Sequence, residues 1–283
     1  MILLVVGADR VDAGKTTFSA GLLDRTGAAG YKPRAGNDFW FDHDDCRRAL
    51  DGGRLYGKDA MRLSAADGRG RPPERLNPVH RLWRPTPGDG SGLLGRTDRE
   101  FVVDRIGRGI DESLFVRNAT AEIPDAVADA LPLADAIPVE TVEEYNDLAE
   151  REYVPAFERL ADEIEAAEVA VVESYSDIAL PLASLDPASI AAVAAVEPGR
   201  VGIYDGDRYR RACEIANSSP RDGTLEKRVP DVLEYLDPLE RVRLPPLDSD
   251  ARDDPARIAR AYDRAYNALL DAAGRVSVSP ISD

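Results

Sequence analysis

The chain has 283 residues, 43% of them hydrophobic, enough for one large domain or two small ones with a full core. Its 52 acidic residues against 36 basic ones give a formal net charge of −16, a field that repels polyanions and argues against nucleic acid or an anionic membrane as partner. Two cysteines, Cys46 and Cys213, supply no disulfide framework.

Lysine is scarce: Lys15, Lys32, Lys58 and Lys227 are the only four, and arginine is used everywhere else. That bias and the acidity fit a salt-adapted, halophilic host, where salt screens the self-repulsion. The opening apolar run is too short for a signal peptide or a membrane span, so a cytoplasmic location is expected.

Ile2–Val6 is a continuous aliphatic run and predicts a strand buried on both faces. A glycine-bearing turn follows, then Gly14-Lys15-Thr16-Thr17 and a helical stretch, Thr16–Leu23. Strand, loop, Gly-Lys-Thr and helix in that order is the context of a phosphate-binding loop, or Walker A motif. Loop amides and the helix N-terminus aim partial positive charge at one spot. There Lys15 can reach terminal phosphates and the Thr16 hydroxyl can hold Mg²⁺. The candidate nucleotide-binding residues are Gly7, Asp12, Ala13, Gly14, Lys15, Thr16 and Thr17. Asp9 stands where the standard G-x-x-x-x-G-K-T pattern has its first glycine, and the nearest glycine on that side is Gly7.

Further along, Asp42-His43-Asp44-Asp45-Cys46 reads as an acidic helix start capped by Asp42 or Asp44. A transition-metal site there, with His80, is the rival reading, and it has few nitrogen or sulfur donors to draw on. Trp40 and Trp83 flank the region and are expected to pack in the core. Residues 51–90 are rich in Gly, Pro and Arg and predict a loop with one short helix, Lys58–Ala66. Residues 93–120 predict a small hairpin, and 121–140 a loop with a short helix.

The remainder alternates. Helices are predicted over Val142–Ala167, Arg208–Ala216, Leu225–Leu236 and Pro255–Ala273. Strands are predicted over Val169–Val172, Ile190–Val196 and, more weakly, Glu240–Leu244. Glu173 ends one of them, where α/β proteins place site residues. The pattern predicts an α/β fold of the P-loop NTPase class: a mostly parallel sheet with helices on both faces and a small β-hairpin and loop insertion. It is expected as one domain over residues 1–283, with the insertion at about 91–140.

Several segments occur in the same order as in the dethiobiotin-synthetase-like branch of P-loop proteins, which is related to the cobyrinate amidase ATPase domains. Gly30-Tyr31-Lys32-Pro33 resembles that family's Y-K-P segment, and Gly57-Lys58-Asp59-Ala60-Met61-Arg62-Leu63 its S-D-A-x-x-L helix start. Leu76-Asn77-Pro78-Val79-His80 with Arg84-Pro85-Thr86-Pro87 resembles N-P-x-x-F…P-x-S-P. Val171-Val172-Glu173 with Leu180-Pro181-Leu182 resembles V-E-G-A-G-G…V-P-L, and Pro198-Gly199-Arg200-Val201-Gly202 resembles A-P-G-R-L-G. Pro245-Pro246-Leu247 stands where the family has its late nucleotide loop.

The resemblance implies ATP and Mg²⁺ as the ligands. Lys15 and Lys32 would serve as catalytic cations at the phosphates, Pro245 would touch the nucleotide, and Thr16, Asp59 and Glu173 would hold the metal. It also implies phosphoryl transfer that activates a carboxylate-like small molecule, with catalysis by positioned charge. The substrate end departs from the family: the glycine-rich turn becomes Glu173-Ser174-Tyr175-Ser176-Asp177, where side chains block close approach and Asp177 is expected to repel a carboxylate or carbamate.

Two other readings stand beside this one. One is a nucleotide-gated regulatory or binding ATPase without a metabolic substrate. The other is a polynucleotide-kinase-like phosphotransferase, suggested by Asp12-Ala13-Gly14-Lys15-Thr16 and the Arg69–Arg75 run but opposed by the acidic charge. The partners expected are a nucleoside triphosphate and an unidentified small molecule, with no membrane; a homodimer is compatible with them.

Overall fold

The computed structural model describes residues 1–8, 13–86, 92–95, 99–109, 112–216 and 227–276. Eleven strands are formed among them: β1 (Ile2–Gly7), β2 (Ala29–Tyr31), β3 (Arg34–Asp38), β4 (Val79–Pro85), β5 (Arg99–Gly107), β6 (Ser113–Asn118), β7 (Ile137–Val139), β8 (Ala170–Glu173), β9 (Ile190–Glu197), β10 (Arg200–Asp205) and β11 (Glu240–Arg243). The chain is α/β and divides into two compact units. The first holds Met1–Pro33, Arg62–Arg71 and the chain from Ala161 onward; the second holds Arg34–Met61 and Pro72–Leu160.

The first unit is built on a six-stranded sheet in the order β11-β10-β9-β1-β8-β2. β1, β8 and β9 are the continuous aliphatic runs of the sequence, and the side chains of β1 and β8 are wholly buried. β2, β8, β1 and β9 run parallel, so their C-terminal ends share one edge. β10 is antiparallel to β9, because only Pro198 and Gly199 separate the paired residues Glu197 and Arg200. So short a connection forces a hairpin. β11 reverses direction again. Of the six strands β10 alone is reversed, so this sheet is mostly parallel, as expected. Helix α1 (Lys15–Thr26) follows β1 and packs on β1 and β8, and Asp263–Val276 packs on the alanine-rich β9.

The second unit corrects the expectation of a small hairpin insertion at 91–140. Its five strands, ordered β3-β4-β5-β6-β7, form a mixed sheet with helices on both faces. One face packs Leu82, Val102 and Phe115 against helix α2 (His43–Leu50) and Asp125–Ala130. The other packs Trp83, Phe101 and Val116 against Val142–Leu148 and Val154–Ala166. β3 and β4 come from residues that lack an aliphatic run, so periodicity did not reveal them; β4 lies inside the expected 51–90 loop. Helix α3 (Lys58–Ala66) forms as expected. The predicted Val142–Ala167 helix is interrupted by one π turn at Ala149–Tyr153, and Pro255–Ala273 is split at Tyr262. Of the predicted Leu225–Leu236 helix, Val229–Leu233 is helical. Among the described residues no helix is long and apolar enough to cross a membrane.

Candidate functional site

Three parallel strands of the first unit end on one sheet edge with Gly7, Lys32 and Glu173: Gly7 closes β1, Glu173 closes β8, and Lys32 directly follows β2. β8 lies between the other two strands, so Glu173 sits between them. Glu173 is fully buried, and its Oε1 accepts a hydrogen bond from Thr16 Oγ1 at 2.8 Å. The same oxygen forms an ion pair with Lys32 Nζ, whose side chain is also buried. Glu173 Oε2 is buried with no hydrogen-bond partner among the described residues. An acceptor left so inside a protein carries its full desolvation cost, about 1–3 kcal/mol and more when charged, unless a ligand meets it.

Lys15 and Thr16 are held there by the start of α1. Gly14 adopts φ +84, a left-handed conformation that costs glycine nothing, and offers the helix no side-chain cap. Lys15 folds back over the end of β1 and donates from Nζ to the Ser176 carbonyl at 2.9 Å. A Cβ on Gly7 would lie 2.8 Å from Lys15 Nζ, so the glycine at this position makes room for the ammonium. Gly7 is thus required by close approach. Ala13 is buried, and Thr17 is half-buried on the first turn of the helix.

The segment after Glu173 is a built turn. Ser176 has φ +52, an uncommon conformation for a residue with a Cβ. The buried Asp177 beside it pairs with Arg228, and Val229 N donates to the Asp177 carbonyl at 2.7 Å. Burial alone raises the Asp177 carboxyl; the Arg228 hydrogen bond and charge outweigh it and hold the group below its ordinary range. Its charge is neutralised within the turn, which corrects the expectation that Asp177 repels an anionic substrate. Sequence reasoning missed Arg228, because 51 positions separate it from Asp177 and no motif joins them.

The remaining expected residues are placed as follows. Asp12 lies outside the described residues. Pro245 is exposed and follows β11, at the same end of the sheet as Gly7 and Glu173 but at its far side. Asp59 is in the first turn of α3, in the second unit, whereas Thr16 and Glu173 belong to the first. The rival metal cluster at 42–46 does not assemble: His43 Nδ1 bonds the Phe39 carbonyl at 3.1 Å, and burial pushes the Cys46 thiol up to about 12. Among the described residues no group of three His, Cys, Asp or Glu side chains is poised around a common point. Asp42 occupies the cap position of α2, yet its carboxylate accepts from Asp38 N at 2.8 Å instead. Trp83 packs in the core as expected, and Trp40 is 74% exposed, which corrects that expectation for it.

The donor set at this edge is a hydroxyl, a carboxylate with one unsatisfied oxygen, and two ammonium groups. Oxygen donors of this kind suit a hard divalent cation, and ammonium groups suit an oxyanion such as a phosphate. Comparison with protein-family models, curated proteins and solved structures returns no match.

Proposed function

We propose that the chain is an ATP- and Mg²⁺-dependent P-loop enzyme of the dethiobiotin-synthetase-like type, which activates a carboxylate-like small molecule by phosphoryl transfer. The observation that carries this reading is the buried Glu173, held by Thr16 and Lys32 through one oxygen and open at the other. In this reading the first turn of α1 and the loop before it grip the phosphates. Lys15 leaves the Ser176 carbonyl for a phosphate oxygen, and Lys32 adds a second cation where negative charge develops. Thr16 and Glu173 would hold Mg²⁺. When bound, the cation neutralises charge on the transferring phosphoryl group. Nothing in this scheme calls for a protein nucleophile.

Lys15→Ala tests the nucleotide assignment, with calorimetric titration of ATP in high salt. Removing a charge-assisted contact of about 1.5–3 kcal/mol is expected to weaken binding by roughly 10–100-fold. Unchanged affinity would remove the phosphate-loop assignment. A second reading, a nucleotide-gated binding module without a metabolic substrate, draws on the turn at Ser174–Asp177. Side chains and a buried ion pair occupy it where an open glycine turn would leave room for a substrate.

A further inference from the structure

In the first unit, the turn after β8 presents a serine hydroxyl beside Lys15. Ser174 N donates to the Val5 carbonyl at 2.9 Å, which ties the start of the turn to β1. Its far end is clasped by the segment around Arg228. The Asp177 carboxylate pairs with the Arg228 guanidinium, Ile178 forms an antiparallel bridge with Arg228, and Ala179 N donates to the Lys227 carbonyl at 2.9 Å. Between these anchors Ser176 is held at φ +52, half-buried where Ser174 and Asp177 are buried. A residue with a Cβ keeps such a conformation only where its surroundings over-determine it, and such residues concentrate at active sites.

The neighbours of Ser176 suit a phosphoryl acceptor. Its Oγ donates to Asp177 Oδ1 at 3.2 Å, so a carboxylate already holds the proton that the hydroxyl would lose. Arg228 donates to that same oxygen. Phosphoryl transfer asks positioning of such a base more than basicity, because its transition state is loose. On the other side, the Ser176 carbonyl accepts from Lys15 Nζ at 2.9 Å. The ammonium that would meet a terminal phosphate therefore lies against the residue that carries the hydroxyl.

We propose that Ser176 is an intramolecular phosphoryl acceptor, so that the chain, with ATP and Mg²⁺ bound, phosphorylates its own serine. Ser176 Oγ forms a bond to the γ-phosphorus, and the bond from that phosphorus to the β,γ-bridging oxygen breaks. ADP leaves with the electron pair of that bond, and the hydroxyl proton passes to Asp177, the catalytic base. Arg228, on the same Asp177 oxygen, supplies a cation beside the new phosphate. The inference rests on the nucleotide reading above and adds an acceptor to it.

The test incubates the purified full chain with ATP and Mg²⁺ in high salt, follows its intact mass, and maps any phosphate by peptide mass spectrometry. ATP binding is measured by calorimetry on the same preparation. One phosphoryl group is expected on Ser176, added at a rate constant independent of protein concentration. It should resist hydroxylamine, as a phosphoester does and an acyl phosphate does not. Ser176→Ala is expected to bind ATP and stay unlabelled, and Lys15→Ala to stay unlabelled although it keeps the serine. Asp177→Asn is expected to label about 100-fold more slowly, the loss that removing a positioned base brings. Circular dichroism verifies folding, and the wild-type map decides where a variant does not fold. ATP binding without phosphate on Ser176, phosphate only on another residue, labelling of Lys15→Ala at the wild-type rate, or an unaltered rate in folded Asp177→Asn would overturn the proposal. Absence of ATP binding would instead sink the nucleotide reading, and self-phosphorylation with it.

Discussion

Glu173 and Asp104 are both fully buried carboxylates, one in each unit, and they are treated in opposite ways. Asp104 has donors on both oxygens: Arg81 donates to each and Tyr153 Oη donates to one of them. Arg81 in turn is bonded to Tyr145 and flanked by three aromatic rings. Burial works to lower the Arg81 guanidinium, yet Asp104 outweighs it and holds the group well above its usual value. Among the described residues Glu173 has two donors on Oε1 and none on Oε2. A carboxylate with donors on both oxygens is architecture; one buried with an oxygen in reserve is suited to receive a ligand.

The largest effect is expected where the Asp104 network is broken. Asp104→Ala leaves the Arg81 charge buried without its counter-ion and is expected to cost about 3–5 kcal/mol in chemical denaturation. A loss below about 1 kcal/mol would show that water already carries this network, and the contrast with Glu173 would fail.

The next effect is at the open carboxylate. Lys32→Met alone is expected to destabilise by about 3 kcal/mol, because Glu173 keeps its charge in a buried setting. Adding Glu173→Gln removes that charge, so the double variant is expected to recover part of the loss. Strict additivity of the two single changes would mean that the pair is not coupled.

The Asp177–Arg228 pair should give the smallest effect and one that depends on pH. The folded carboxyl lies below its ordinary value of 3.8, so the stability it contributes is fully present above the unfolded value. It is lost as pH falls through the folded value. Arg228→Met should lower stability at neutral pH, leave low pH less affected, and so flatten the acid limb of the stability profile. Superimposable acid limbs for the two proteins would contradict the role given to this pair.

What was legible in the sequence follows the same contrast. Ile2–Val6, Val169–Val172 and Ile190–Val196 are aliphatic strands whose pattern betrays burial on both faces, and glycine, lysine, threonine and glutamate mark their ends. Lys15, Lys32 and Glu173 could therefore be named before their geometry was known, and the structure brings Lys32 and Thr16 onto Glu173 and Lys15 beside Gly7. The second unit was not legible, because β3 and β4 carry Arg, Gly, Asn, Asp and His where an aliphatic run would have signalled a strand. Their polar residues are absorbed by partners distant in sequence, as with Arg81, Asp104 and Tyr153, and no local pattern encodes such pairs. Arg69 and Arg71 are a similar case. They bond the Gly27, Ala28 and Gly30 carbonyls and so cover the short β2 strand that leads to Lys32, yet in sequence they are only a basic run.

The central claim, that the open oxygen of Glu173 serves a metal-bound nucleotide, is tested most directly by measuring ATP affinity and Mg²⁺-dependent hydrolysis side by side in wild type and Glu173→Gln. The measurement is made in high salt, with folding verified for both proteins. Turnover is expected to fall by about 100-fold or more while affinity changes less than about tenfold, since loop amides and Lys15 still grip the phosphates. Negligible hydrolysis by the wild type, or equal losses of turnover and affinity in the variant, would contradict it.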